Sequence, residues 1–279
     1  MKNFAMFFLT VLTAFLFTFA CAPDAITPQN TRTNNNQFPL GMNVSIIYLH
    51  HSTGGVIWGG NVAGIIGAYN ASNSVNYQIT ERAYPSGDPY PWNNYPYDYW
   101  NIWINHAGMT QYMEEDTLEL LTFDYDVIVF KHCYPVSEIE ADSGTGDITS
   151  DAKTVSNYVL QYNALKTKMR EFPDTRFIVW TGAAELQTNL FPEPAQRAHD
   201  FFQWVVEVWD EPGDNIFVWD FYNIETAGGM YLLTNYAEGA ADNHPNAAFA
   251  NVVAPYFCKR LIDVIRGFGD TTDIFGTNQ

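Results

Sequence analysis

From Gly41 onward, short β-branched or apolar runs alternate with longer stretches of helical periodicity. The strand-like runs are Val44–Leu49, Tyr77–Thr80, Val127–Phe130, Phe177–Trp180 and Ile216–Trp219. Most are apolar without alternation, which predicts strands covered on both faces. Helical patterning falls near 55–70, 109–122, 151–171, 193–210 and 247–266. In 151–171, Val155, Val159, Leu160, Tyr162 and Leu165 follow the helical repeat, while Lys166, Lys168 and Arg170 occupy the final turns, where the helix dipole favours cations. This alternation predicts an α/β fold, a three-layer α/β/α sandwich on a mainly parallel five-stranded sheet. Ligands of such sheets gather beyond the carboxyl ends of the strands, so functional residues are expected after Leu49, Thr80, Phe130, Trp180 and Trp219.

Upstream the pattern changes. Residues 1–20 carry one charge, Lys2, and an apolar run from Phe4 to Ala20 interrupted only by Thr10, Thr13 and Thr18, the layout of a secretory signal. A membrane anchor is the competing reading, because the run sits at the lower edge of spanning length. Ala20 precedes the first cysteine as a small residue does in bacterial lipoprotein signals, making Cys21 the expected site of lipid attachment; Thr18 and Phe19 depart from the usual Leu and small residue. Residues 21–40, rich in Pro, Asn, Gln and Thr, read as a flexible tether to a single domain over 41–279. The expectation is an exported protein, either lipid-anchored in the bacterial cell envelope, meeting the membrane only through its N-terminal lipid, or plainly secreted.

Charge narrows the partners. Thirteen basic residues stand against 31 acidic ones, a net charge of −18, and removal of 1–20 takes away Lys2 and no acid. Such a surface repels phosphate backbones, so nucleic acid is not an expected partner. With Cys21 set aside, Cys133 and Cys258 are too few for a disulfide framework, although one bridge between them stays open. Cys258 lies in an apolar helical pattern and reads as a packed thiol.

Two strand-end segments carry the chemistry. His50-His51-Ser52-Thr53-Gly54-Gly55 lies between the first strand and a Gly-rich helix start, which places the Ser52 hydroxyl beside free backbone N–H groups. Serine needs a base, and Ala241-Asp242-Asn243-His244-Pro245-Asn246, just before the last helix, supplies one in His244. Pro245 and Asn246 predict a turn that leads into the helix and keeps His244 outside it.

These two segments resemble the SGNH, or GDSL-type, hydrolase superfamily, α/β/α esterases and lipases with a serine after the first strand and a D-x-x-H-P-N motif before the last helix. The resemblance implies Ser52 as nucleophile and His244 as base, with no metal or organic cofactor. His51 stands where the family has Asp before its serine, and Ala241 where it has the acid. Asp242 is the nearest substitute for that acid, and Asp220 is a second candidate. Gly87 is placed to match the family's oxyanion glycine, though Pro85-Ser86-Gly87-Asp88 also reads as an ordinary turn. The family's G-x-N-D block is missing; Lys131 and His132 stand there and are oxyanion candidates by position.

Three other readings compete. Cys133 beside His132 suggests a thiol nucleophile, but neighbours on extended chain point apart. His50, His51, His132 and Asp242 suggest a metal hydrolase. The aromatic, Pro-rich stretch from Tyr84 to Trp103 predicts an ordered loop over the sheet edge, either a sugar-binding surface or a cluster packed on itself. The substrate expected on the first of these is a carbohydrate ester or another small acyl ester, and the alternative function is a surface glycan-binding lipoprotein without turnover.

Overall fold

In a computed structural model that describes residues 39–91 and 93–277, the five apolar runs form one sheet. Its strands are β1 (Asn43–His50), β2 (Asn76–Ala83), β3 (Val127–Phe130), β4 (Arg176–Trp180) and β5 (Ile216–Trp219), in the order β2-β1-β3-β4-β5. Every neighbouring pair is parallel. The helices are α1 (Thr53–Gly59), α2 (Val62–Asn73), α3 (Pro96–Trp100), α4 (Leu118–Asp124), α5 (Val155–Met169), α6 (Pro192–Trp204), α7 (Phe221–Thr226) and α8 (Ala247–Ile265). A short hairpin of β6 (Ala237–Gly239) and β7 (Asp242–Pro245) precedes α8. The leader, Cys21, Trp92 and all but the end of the tether lie outside the described residues.

Alternation along the strands divides the core. Ile46, Tyr48, Val129, Trp180, Phe217 and Trp219 pack with α1, α2 and α8, whereas Ile47, Leu49, Phe130, Val179 and Val218 face α3, α5 and α6. That is the predicted α/β/α sandwich. Among the described residues the chain already joins the domain slightly before Gly41, where the Leu40 N–H donates to the Ile265 carbonyl at 2.8 Å.

Three predicted elements differ. The helix expected over 55–70 breaks into α1 and α2, because Gly60 packs against the Ala250 backbone and Asn61 adopts φ 77°. Of 109–122 only the end is helical: Tyr112 and Glu115 bridge across Met113 and Glu114, which both have positive φ, as a tight hairpin turn requires. Among its described residues, the stretch from Tyr84 to Trp103 is turn and coil up to Tyr95 and helical beyond it. It contains α3 and the start of a π-helical turn, and it buries Tyr84, Tyr90, Tyr95, Tyr99, Trp100 and Trp103.

Several of its polar groups are bonded inside the protein. Asp98 accepts from the Asn93 and Asn94 N–H groups and from the Tyr90 hydroxyl, and the Trp103 indole donates to the Tyr84 hydroxyl at 2.5 Å. Tyr99 meets Trp103 edge-on, with ring centroids 4.9 Å apart. The self-packed cluster is therefore the reading that holds, and the buried rings offer no platform to a sugar.

Tyr99→Ala is accordingly expected to cost about 3–5 kcal/mol in urea unfolding, as for other large aromatic truncations in cores. The half-buried Tyr97 should lose about 1 kcal/mol or less on the same change.

Candidate active site

The chain leaves β1 at His50 and turns at Ser52, whose φ of 53° and ψ of −115° form a conformation costly for any residue with a Cβ. The Gly54 N–H donates to the His51 carbonyl at 2.9 Å and the Gly55 N–H to that of Ser52 at 2.8 Å, closing the first turn of α1. Gly54 is required there, since a side chain would overlap Tyr48 and His50. The strained turn leaves Ser52 exposed, with its N–H unpaired among the described residues.

His244 approaches from the opposite end of the chain. Its Nε2 lies 2.5 Å from Ser52 Oγ, and its Nδ1 lies 2.7 Å from Asp242 Oδ1. A carboxylate only accepts, so the proton resides on Nδ1, leaving Nε2 to accept the serine hydroxyl. The His244 N–H also donates to Asp242 Oδ1 at 2.9 Å, and this backbone bond, followed by the imidazole bond, holds the Asp242 carboxyl below the usual carboxylate range.

Asp242 reaches the imidazole from two residues away because 242–245 is strand rather than turn. Residues i and i+2 of a strand point to one side, so Asp242 and His244 share a face. Asn243 points to the other, where its amide donates to Glu185 at 2.6 Å and its carbonyl oxygen accepts from the Leu186 N–H and from Asn189. Asn246 then caps α8, accepting from the Phe249 N–H at 2.8 Å. Asp220, the other candidate acid, is the buried cap of α7 and accepts from Thr181 Oγ1 at 2.7 Å, so it does not orient His244.

The oxyanion candidates divide by strand alternation. Lys131 is fully buried on the nucleophile side, its Nζ 3.3 Å from the His51 carbonyl and 3.5 Å from Cys133 Sγ. His132 points the other way, into a cage of Tyr99, Phe130 and Tyr162, with neither ring nitrogen hydrogen-bonded. Burial there, then the Lys131 charge, pushes its pKa down to about 3, and from that cage it reaches no oxyanion. His51 Nε2 lies 2.5 Å from the Pro85 carbonyl, tying the nucleophile turn to the loop that carries Gly87. Gly87 has φ 108°, and its carbonyl accepts from the Tyr90 N–H, closing a turn over 87–90 rather than over 85–88.

The metal set is not assembled. His50 pairs with Glu81 at 2.7 Å, Asp242 with His244, and His132 lies in its aromatic cage. Among the described residues no three His, Cys, Asp or Glu side chains converge. Cys133 and Cys258 are both buried and free rather than bridged, and burial pushes the Cys258 thiol up to about 12. Tyr134, which sequence patterning had not singled out, stands edge-on to the His244 ring at 5.8 Å. Asn243, Glu185 and Asn189 were likewise not visible as supports, their only signal being the alternation Asp-Asn-His-Pro.

No protein-family model matches this sequence, and no curated protein matches it. Among solved structures the chain is similar to a gut microbial diltiazem-metabolizing enzyme, at 13% identity and a TM-score of 0.48, with 84% of this chain covered. The chain spans about half the length of that protein, 49% of which is covered.

Glu185 gives the site a measurable signature. Burial, then the nearby Glu138 carboxylate, raises it from 4.5 to about 7, partly offset by the Asn243 amide. The folded state thus holds a proton that the unfolded chain releases, and this part of the stability is lost as pH rises from about 4.5 to about 7. Glu185→Gln keeps an acceptor for Asn243 and removes that loss, so the variant should gain up to about 3 kcal/mol over the parent between pH 5 and pH 8. Thermal unfolding at the two pH values reads the difference.

Proposed function

We propose that the protein is a serine ester hydrolase in which Ser52 is the nucleophile, His244 the base and Asp242 the residue that orients and charges it. The observation that carries this reading is the 2.5 Å contact from Ser52 Oγ to His244 Nε2, continued at 2.7 Å to Asp242. A strained, exposed serine at a strand-to-helix turn adds support, because such strain persists where function requires it. So does the likeness of the two end motifs to the SGNH superfamily, with Asp242 serving from the strand where that family uses an acid one residue earlier.

In the reaction, Ser52 Oγ attacks the ester carbonyl carbon while its proton passes to His244 Nε2. The Ser52 N–H faces the developing oxyanion, and the buried Lys131 charge lies behind the turn where it lowers the energy of that negative charge. The carbon–oxygen bond to the alcohol then breaks as His244 returns the proton to the leaving oxygen. Water, deprotonated by His244, attacks the acyl-serine, and the acid leaves with Ser52 restored. We extend the proposal to export and lipid attachment at Cys21, which the apolar leader supports.

Ser52→Ala should abolish labelling by a fluorophosphonate probe and lower turnover of 4-nitrophenyl acetate by at least about 10⁴-fold; labelling or turnover that survives it overturns the reading. Asp242→Asn should lower kcat by about 10²–10⁴-fold with KM little changed. Lys131→Met, compared at matched fold by circular dichroism, should lower kcat by about 10–10²-fold, while Cys133→Ala should leave it within about twofold.

A further inference from the structure

The alcohol released by an ester departs on the imidazole's side, because the proton it takes comes from His244 Nε2. Beside His244 lies a cleft of about 260 Å³ bounded by α1, the β6–β7 hairpin and the start of α8. Gly55, Val56, Pro245, Ala247 and Ala250 give it small, mainly apolar walls, and the polar side chains on it are His244, Glu238 and Asn251. Resting on the esterase reading, we propose that this cleft takes the leaving alcohol and that Glu238 selects an alcohol that is compact, apolar in body and positively charged, such as an amino or quaternary ammonium alcohol.

Register and charge support this independently of the cleft. Ala237 pairs with Pro245 and Gly239 with Asp242 across a register shift, so Glu238 falls alone in the irregular step of the hairpin opposite Asn243 and His244. Glu238 is exposed and makes no ion pair among the described residues. The neighbouring carboxylate, Asp242, is engaged by His244, and Lys131 is buried behind the nucleophile turn. No Lys or Arg lines the cleft. Its fixed charge is therefore negative, on a chain whose net charge is −18, and an anionic alcohol would be repelled at the step where it must approach His244.

The test compares kcat/KM for three acetate esters of matched size at low ionic strength: choline acetate, its neutral carbon isostere 3,3-dimethylbutyl acetate, and the acetate ester of 2-hydroxyethanesulfonate. The expected order is cationic, then neutral, then anionic, with about threefold to fivefold between steps, as one exposed charge contact provides. The steps should shrink in 0.5 M salt. Glu238→Gln should bring the cationic-to-neutral ratio to about one, and Glu238→Lys should invert it. A wild-type ratio of one or less, a ratio unchanged in Glu238→Gln, or an O-acetyl monosaccharide hydrolysed better than choline acetate overturns the proposal. If none of these esters nor 4-nitrophenyl acetate shows Ser52-dependent turnover, the esterase reading fails and this proposal with it; Ser52-dependent turnover without charge preference defeats only the present one.

Discussion

The hydrogen bond between Ser52 and His244 joins residues 192 positions apart, and most of the architecture serves to make it. β1 sits inside the sheet between β2 and β3, so the turn that follows it is anchored on both sides. His244 comes from the hairpin before α8, and α8 packs along the same sheet face as α1. Closing so long a loop is entropically unfavourable by itself. The pair is held because sheet and helices, stabilised by their own burial, have already brought both ends of the domain together.

Fixing the imidazole is a second problem, met by backbone geometry. A side chain on an exposed turn keeps rotamer freedom that a hydrogen bond alone removes poorly. In β7, Asp242 holds His244 at both its Nδ1 and its backbone N–H, while Asn243 fastens the opposite face to Glu185, Leu186 and Asn189. Tension between stability and function is visible here: Glu185 is buried with one carboxylate oxygen unpartnered, and Ser52 sits in a backbone conformation that a glycine would adopt more cheaply.

The sheet was legible in the sequence because strands covered on both faces are written as uninterrupted apolar runs, and the two ends of the Ser52–His244 contact because they follow the first strand and precede the last helix. Legibility failed where one composition suits two environments. The tyrosines and tryptophans from Tyr84 to Trp103 suit a sugar-binding surface or a core equally, and only the placement of Asp98, which gathers the Asn93 and Asn94 N–H groups and the Tyr90 hydroxyl, decides for burial. Lys131 and His132 were equivalent by position until alternation past β3 sent one toward the nucleophile turn and the other into an aromatic cage. Asp242 looked displaced because the spacing of its motif assumes a turn; in extended chain, two residues is the spacing that works.

Lys131 shows how the same alternation shapes the electrostatics. A fully buried ammonium is expensive unless it is compensated. Its partners are the His51 carbonyl and Cys133 Sγ, and its charge is felt by the buried Glu225, where it opposes the upward push of burial on that carboxyl. Burial, then the same charge, pushes the His50 pKa down to about 3, so His50 donates to Glu81 instead of competing as a second cation. Positive charge is thus held inside, behind the nucleophile turn, and negative charge is left outside at Glu238. In the proposed reaction an ester lying between them would meet a cation on the side of the developing oxyanion and an anion on the side of the departing alcohol, a polarity set by which face of β3 and which step of the β6–β7 hairpin each residue occupies.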